Sequence, residues 1–239
     1  MKIDFSMGPV EAEAAEKASS MMSYSDQAEH RLRELCAAHL AHSELPQIEK
    51  TILFARSLKS ENAAHPSVRA YFSHPVRVAT QALRLETVPS AEIVQLGLLH
   101  NVFEVSGLNE SNLLEEGYSR RTAEGIRLLT VDRRRQYDPV YLKAFHRKIE
   151  THGEDLALIR CVDRLDNLLA FQLIERTKVI EDYLDLTIRF VVPMASRLSP
   201  QFGAYLLKLI AYMREVGCDR QLKERYESFL KEAVESAVS

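Results

Sequence analysis

The chain has 239 residues, a formal net charge of −3, 46% hydrophobic residues and 27% charged residues. These values are ordinary for a globular protein with one large domain, and the charge gives no reason to expect a nucleic-acid partner. With no tryptophan and only eight glycines and eight prolines, the composition argues against a turn-rich all-β protein.

The first half of the chain is helical by its hydrophobic spacing. Residues 1–24 are small, polar and weakly patterned, which predicts a mobile or loosely docked N-terminal arm. Residues 61–72 have the composition of a loop. The predicted helices of this half are 25 to about 42, 46 to about 60, 74 to about 85 and 90 to about 102.

The second half continues with the same period and predicts no substantial sheet. Two short helices are predicted to begin at Ser111 and Ser119, and a longer one to begin at Asp138 and end at Gly153. The remaining predicted helices are 154 to about 174, 178–198, 200–216 and a last one at the C-terminus. We therefore predict an all-α bundle of roughly ten helices over residues 25–198, with residues 199–239 as a helical extension that packs on the same domain.

The cysteines and the apolar segments bear on the cellular setting. Cys36, Cys161 and Cys218 are odd in number and widely spaced, which fits neither a disulfide framework nor a zinc site. The N-terminal segment lacks the apolar core of a signal peptide, and no stretch of about 18 apolar residues is present. We expect a cytoplasmic protein without a membrane partner.

Three separated motifs carry the chemistry, and they centre on His74, on His100-Asn101 and on Asp163. Imidazole nitrogens and carboxylate oxygens together suit Mn, Fe or Zn ions. His100 and Asn101 are consecutive on a predicted helix, so their side chains diverge by about 100° and both can reach an ion between them. Asp163 lies in an apolar helix, where a charge needs a partner. The motifs together predict a divalent metal site.

Helical spacing adds two residues to this site. Glu104 follows His100 by four residues and could orient a water molecule or move a proton. Asn167 follows Asp163 by four residues and could hydrogen-bond a sugar or a phosphate. Taken one at a time, each histidine is more often a satisfied core residue, and the acids near Arg164 are more often an ordinary ion-pair network. The order and placement of the set favour the metal site.

The segments YFSHPVRVA, LGLLHNVFEV and IRCVDRLDNLLAF resemble the hydrolase domain of RelA/SpoT-type enzymes, including the small stand-alone SpoT homologues. The resemblance covers roughly residues 48–190. The RelA/SpoT-type hydrolases are HD-domain proteins that remove the 3′-pyrophosphate of (p)ppGpp, usually with Mn²⁺. The resemblance therefore implies an HD-domain helical bundle, a phosphohydrolase activity, a Mn²⁺ cofactor and a nucleotide or other phosphorylated small molecule as partner.

The resemblance also assigns metal-site roles. His74, His100 and Asp163 match metal ligands, and Asn101 takes the place of a fourth ligand that is normally an aspartate. An asparagine carbonyl offers a dipole where the family offers an anion, so this departure predicts weaker metal binding.

The catalytic and substrate positions depart further from the family. Glu104 matches the first half of a Glu-Asp pair that activates the attacking water, and Val105 replaces the second half. Asn167 matches a residue that contacts the nucleotide. The loop that holds guanine in the family is rewritten here, where His65 and Arg69 are the candidate substrate contacts.

Three functions stay open at this point. The chain is a phosphohydrolase with weakened or altered activity, a catalytically inactive nucleotide-binding or regulatory module, or a helical interaction domain with a vestigial site. A homodimer through the apolar faces of the terminal helices is a further expectation.

Overall fold

The computed structural model of the protein describes residues 3–21, 25–58 and 68–238. The described residues contain helices and connecting turns without a sheet, and an isolated bridge joins Ile3 to Glu86. The predicted all-α class is confirmed. The helices are α1 Val10–Met21, α2 Ser25–His39, α3 Leu45–Ser57, α4 Val68–Leu85, α5 Ala91–Leu99, α6 Val102–Val105, α7 Glu110–Glu115, α8 Arg120–Leu129, α9 Pro139–His152, α10 Glu154–Leu169, α11 Lys178–Leu186, α12 Val192–Leu198, α13 Pro200–Val216 and α14 Arg220–Val238.

Several helix ends follow directly from the sequence. The Ser90 side chain accepts a hydrogen bond from the Ile93 amide and caps α5. Asp138 caps α9 in the same way, with Pro139 in its first turn. Gly153 separates α9 from α10. These ends agree with the predicted ones because capping is a local interaction that neighbouring residues decide.

Two predicted boundaries around the candidate ligands are wrong. Helix α4 already begins at Val68, so Pro75 lies inside the helix and His74 does not start it. The predicted helix from 90 to about 102 is interrupted: α5 ends at Leu99, and Asn101 becomes the N-cap of α6 with φ −118° and ψ 13°. The expectation that His100 and Asn101 diverge from one continuous helix therefore does not hold.

Helix α10 lies at the centre of the fold and packs against α4, α5, α12 and α13. Most of its residues are buried, including Asp163 and Asp166. Helices α4 and α5 pack very closely, because a Cβ atom on Gly97 would lie 2.6 Å from the Cα atom of Ala79. This close approach brings residues of α4 near the end of α5, over the middle of α10.

The N-terminal segment differs from its prediction. The weak pattern of residues 1–24 predicts a mobile or loosely docked arm, but residues 10–21 form α1, which packs against α10 and α13. Val10, Ala14, Lys17 and Ala18 are buried. The small side chains that weaken the hydrophobic pattern allow α1 to lie close to its neighbours. Helix α13 packs on α12 and α10.

Among the described residues, no helix combines the length and the apolar character needed to cross a membrane. The division of the chain into residues 25–198 and 199–239 stays a prediction.

Candidate metal centre

Three of the predicted ligands come together in the structure. Nε2 of His74 lies 3.3 Å from Oδ1 of Asp163, and Nε2 of His100 lies 3.6 Å from the same oxygen. These three ligand atoms all lie within 4.8 Å of one another. His74 comes from α4, His100 follows the end of α5, and Asp163 lies in the middle of α10, so the site depends on the packing of the three helices.

Both imidazole rings are held by their other nitrogen. Nδ1 of His74 lies 2.7 Å from Oδ2 of Asp166, and Nδ1 of His100 lies 2.8 Å from the carbonyl oxygen of Gly97. Oxygen atoms can only accept these bonds, so a neutral ring carries its proton on Nδ1 and leaves a lone pair on Nε2. Metal-binding histidines are oriented in this way in known sites.

Asp163 is held by two neighbours on its own helix. Arg160 donates from Nη1 to Oδ2 at 2.7 Å, and the Asn167 amide donates to Oδ1 at 2.8 Å. Burial alone would raise the pKa of Asp163, but the His100 and His74 rings together with Arg160 outweigh burial and hold this pKa well below its usual range. The carboxylate is therefore ionised in the folded protein.

Asp166 forms a second buried ionic cluster beside the first. Its Oδ2 accepts from Lys17 at 2.5 Å, and its Oδ1 accepts from Nε of Arg77 at 3.0 Å. Burial alone would raise the pKa of Asp166, and the charges of Arg77 and Lys17 with the bond from His74 hold it well below its usual range. Burial lowers the pKa of Lys17 to about 7, although Asp166 opposes the shift.

The residues present fit a divalent cation. Two imidazole nitrogens and one carboxylate oxygen are the ligand types that Mn, Fe and Zn accept. Nε2 of His100 is buried and has no hydrogen-bond partner within the part of the chain that the structure describes, which leaves a buried lone pair facing the triad. A bound cation would satisfy this atom.

The positive charge around the triad limits its affinity for a divalent cation. The two carboxylates, Asp163 and Asp166, are surrounded by the cations Lys17, Arg77 and Arg160. A divalent ion would add positive charge to a cluster that already carries more cations than anions. The geometry therefore favours metal binding, and the electrostatics predict a weak affinity.

The other half of the predicted site is arranged differently. Glu104 accepts from the Val131 amide at 2.8 Å and pairs with Arg133 at 2.5 Å, and its carboxylate is not among the clustered ligand atoms. Asn101 and Val105 are both buried. The candidate catalytic acid is thus engaged by Arg133, whose side chain is otherwise largely exposed.

The substrate-binding candidates receive less support. Asn167 uses its amide to hold Asp163, so the group expected to contact a nucleotide is already engaged. His65 lies outside the described residues. Arg69 lies in α4, and its side chain is outside the part of the chain that the structure describes.

Sequence reasoning missed three side chains that organise the centre: Lys17, Arg77 and Arg160. Arg77 follows His74 by three residues and Arg160 precedes Asp163 by three, so helical spacing could have indicated both. No local signal marks Lys17, because its partner is far away in the sequence. Arg164 is also buried, with its guanidinium 3.8 Å from the ring centroid of Tyr183.

Comparison of the chain with models of protein families and with curated proteins finds no match. Any family assignment therefore depends on the three motifs and on the geometry described above.

Proposed function

We propose that the chain is an HD-type, metal-dependent phosphohydrolase-like protein that acts weakly on a nucleotide or another phosphorylated small molecule. One observation carries the proposal: His74, His100 and Asp163 converge from three helices, and both rings are oriented through Nδ1. An ordinary core histidine needs no carboxylate partner on one nitrogen and a second carboxylate near the other.

Each residue of the candidate metal centre has a separate proposed role. His74, His100 and Asp163 would hold the cation, with Asn101 as a neutral fourth group. A divalent cation, Mn²⁺ by the family resemblance, would polarise a phosphoryl oxygen as a Lewis acid. Asp166 keeps the Nδ1 proton of His74 in place, and Arg160 keeps Asp163 ionised.

Proton transfer is the weak part of this chemistry. Glu104 is the candidate general base, but one of its carboxylate oxygens accepts from the Val131 amide and the other pairs with Arg133, so both are engaged. Val105 can neither accept a proton nor orient water. Hydrolysis is therefore expected to be slow compared with a site that has two carboxylates here.

The pairing of Glu104 with Arg133 specifically favours a second candidate function. If Arg133 remains bound, the site holds a cation and a phosphorylated ligand without turnover, as a regulatory module would. We also infer a reducing, cytoplasmic setting, which the free cysteines Cys36, Cys161 and Cys218 support.

The test measures Mn²⁺ binding by calorimetry and then product formation from ppGpp and a panel of nucleotides. We expect Mn²⁺ binding that His74→Ala and His100→Ala abolish and that His146→Ala, which removes a buried histidine outside the triad, leaves unchanged. Slow Mn²⁺-dependent release of phosphate or pyrophosphate supports the enzyme, and nucleotide binding without product supports the regulatory module. Absence of Mn²⁺ binding to the unmodified protein contradicts both.

A further inference from the structure

A cavity of about 280 Å³ lies between α1, α2, α4 and α10. Asp166 lines it, whereas His74, His100 and Asp163 do not. Because Asp166 also holds His74, its carboxylate stands between the cavity and the metal triad. The cavity is thus a separate feature from the candidate metal centre.

The α4 wall of the cavity is a polar stripe on a helix that is otherwise largely buried. Arg77, Thr80, Gln81 and Arg84 recur at the spacing that places side chains on one helix face, and all four line the cavity. The residues between them are buried and apolar: Val78, Ala79, Ala82 and Leu83. The four polar side chains are half-buried or exposed, so this stripe is the solvent-accessible face of α4 and it faces the cavity.

The α1 wall repeats the arrangement. Glu13, Glu16, Lys17 and Ser20 have the same spacing and line the cavity from the other side. The two helices therefore present hydrogen-bonding groups to each other across an open space. Such convergent polar groups in a concave space are typical of a small-molecule site.

Most of the charged groups in the cavity are already paired. Lys17 and Arg77 both donate to Asp166. Arg31, from α2, lies 3.8 Å from Glu16 in an exposed pair. These contacts fix the walls and leave little charge there for a ligand.

Two opposite charges remain. Within the described part of the chain, neither Glu13 nor Arg84 takes part in an ion pair, and Glu13 accepts only a backbone hydrogen bond from Gly8, at 2.9 Å. Both also line the recess that adjoins the cavity. Glu13 is half-buried and Arg84 is exposed, so each can exchange bound water for a ligand group of the opposite charge.

We propose that this cavity binds a small zwitterion of amino-acid size, with its carboxylate at Arg84 and its ammonium group at Glu13. The volume lies just under the roughly 300–1,000 Å³ of pockets for drug-sized ligands, which limits the ligand to a small molecule. Gln81 can donate and accept hydrogen bonds there, and the hydroxyls of Thr80 and Ser20, which already donate to the carbonyl oxygens of Val76 and Lys17, can accept them. Guanidinium–carboxylate and carboxylate–ammonium contacts are the charge-assisted bonds that such a ligand needs.

The test uses the full chain in EDTA, so that its outcome is independent of the metal centre. The twenty standard amino acids and inorganic phosphate are screened by thermal shift, and any amino acid that raises Tm is titrated by calorimetry. We expect at least one amino acid to bind, and its N-acetyl derivative and its methyl ester to bind at least about tenfold more weakly, because each lacks one charge.

Matched variants locate the site. Arg84→Gln and Glu13→Gln are each expected to weaken binding about tenfold or more, because each removes one charge-assisted contact. The controls Arg147→Gln and Glu115→Gln change exposed charges away from the cavity and should leave binding unchanged. Three results would overturn the proposal: no amino acid binds, the cavity variants bind like the controls, or phosphate or the N-acetyl derivative binds as tightly as the amino acid.

Discussion

The two halves of the candidate metal centre differ in the groups they offer. The half made by α4, α5 and α10 has three convergent ligand atoms and a hydrogen bond behind each imidazole ring. The half around α6 has a neutral Asn101, an apolar Val105 and a Glu104 that is bound to Arg133. Holding a cation and activating water therefore depend on different parts of the site. The buried packing of α4, α5 and α10 supports cation binding and does not support the activation of water.

The largest effect is expected from Asp163→Asn, which removes the one charged ligand. Divalent metal binding should be lost, and the free energy of unfolding should fall by about 3–5 kcal/mol because Arg160 keeps a buried charge without its anion. Calorimetry with Mn²⁺ and urea denaturation measure the two effects. The control Asp182→Asn breaks an exposed pair with Lys178 and should change stability by no more than about 1 kcal/mol. A stable Asp163→Asn protein that still binds Mn²⁺ would show that the triad is not the site.

Asp166→Asn tests the hydrogen bond behind His74. The amide keeps the shape of the side chain but loses the charge that holds the Nδ1 proton, so Mn²⁺ affinity should fall about 10–100-fold although Asp166 is not a ligand. Titration calorimetry compares this variant with Asp182→Asn. Equal affinities in the two variants would mean that the orientation of His74 does not matter.

Substitutions around α6 test the comparison by adding the carboxylates that this half lacks. Asn101→Asp with Val105→Asp should raise Mn²⁺ affinity about tenfold or more, because two carboxylates are added near a cluster with a positive excess. Adding Arg133→Ala releases Glu104 and should allow ppGpp hydrolysis that can be followed by product formation. If the triple variant binds Mn²⁺ and nucleotide but forms no product, the missing chemistry lies outside these three positions.

The smallest effect concerns His146, which is buried like His100. Its Nδ1 donates to the carbonyl oxygen of Leu142 at 2.8 Å, and its Nε2 has no hydrogen-bond partner among the described residues. The His146 ring stacks on Phe190, and His146 does not belong to the group of clustered ligand atoms that includes Asp163. Burial, with a smaller effect of Arg160, lowers its pKa from 6.5 to about 3. His100 and His146 are thus both buried and both bonded through Nδ1 to a backbone carbonyl oxygen. Of the two, His100 has a carboxylate, that of Asp163, near its Nε2.

The sign of this shift predicts a pH dependence. Because the unfolded chain binds the proton more tightly, His146 lowers stability as pH falls from about 6.5 towards 3, and has no such effect above 6.5. His146→Leu should make urea stability fall less steeply between pH 7 and pH 5 than in the unmodified protein. Parallel pH profiles for the two proteins would indicate that His146 is not neutral in the fold.

The sequence predicted what local patterns determine. Helical periodicity gave the all-α class, and the caps at Ser90 and Asp138 gave their helix starts. The order of the three motifs selected His74, His100 and Asp163 as candidate ligands, and the structure brings these side chains together. The break at His100-Asn101 was missed because apolar residues continue on both sides of it, so hydrophobic spacing gives no signal of the Asn101 N-cap.

The charged neighbours of the site were harder to predict for a related reason. Lys17 reaches Asp166 across most of the chain, and its surroundings consist of small residues with a weak pattern. Arg133 pairs with Glu104 from a run of three arginines, and short basic runs usually lie on the solvated surface. Long-range ion pairs of this kind depend on the final packing, so a sequence shows the residues without showing their partners.

The most direct test of the central claim is a crystal of the protein grown with Mn²⁺ and measured at a wavelength where manganese scatters anomalously. The account predicts an anomalous peak between Nε2 of His74, Nε2 of His100 and Oδ1 of Asp163, within bonding distance of all three atoms. Absence of a peak there, with the two imidazoles still bonded only to the carboxylates and to the backbone, would contradict it.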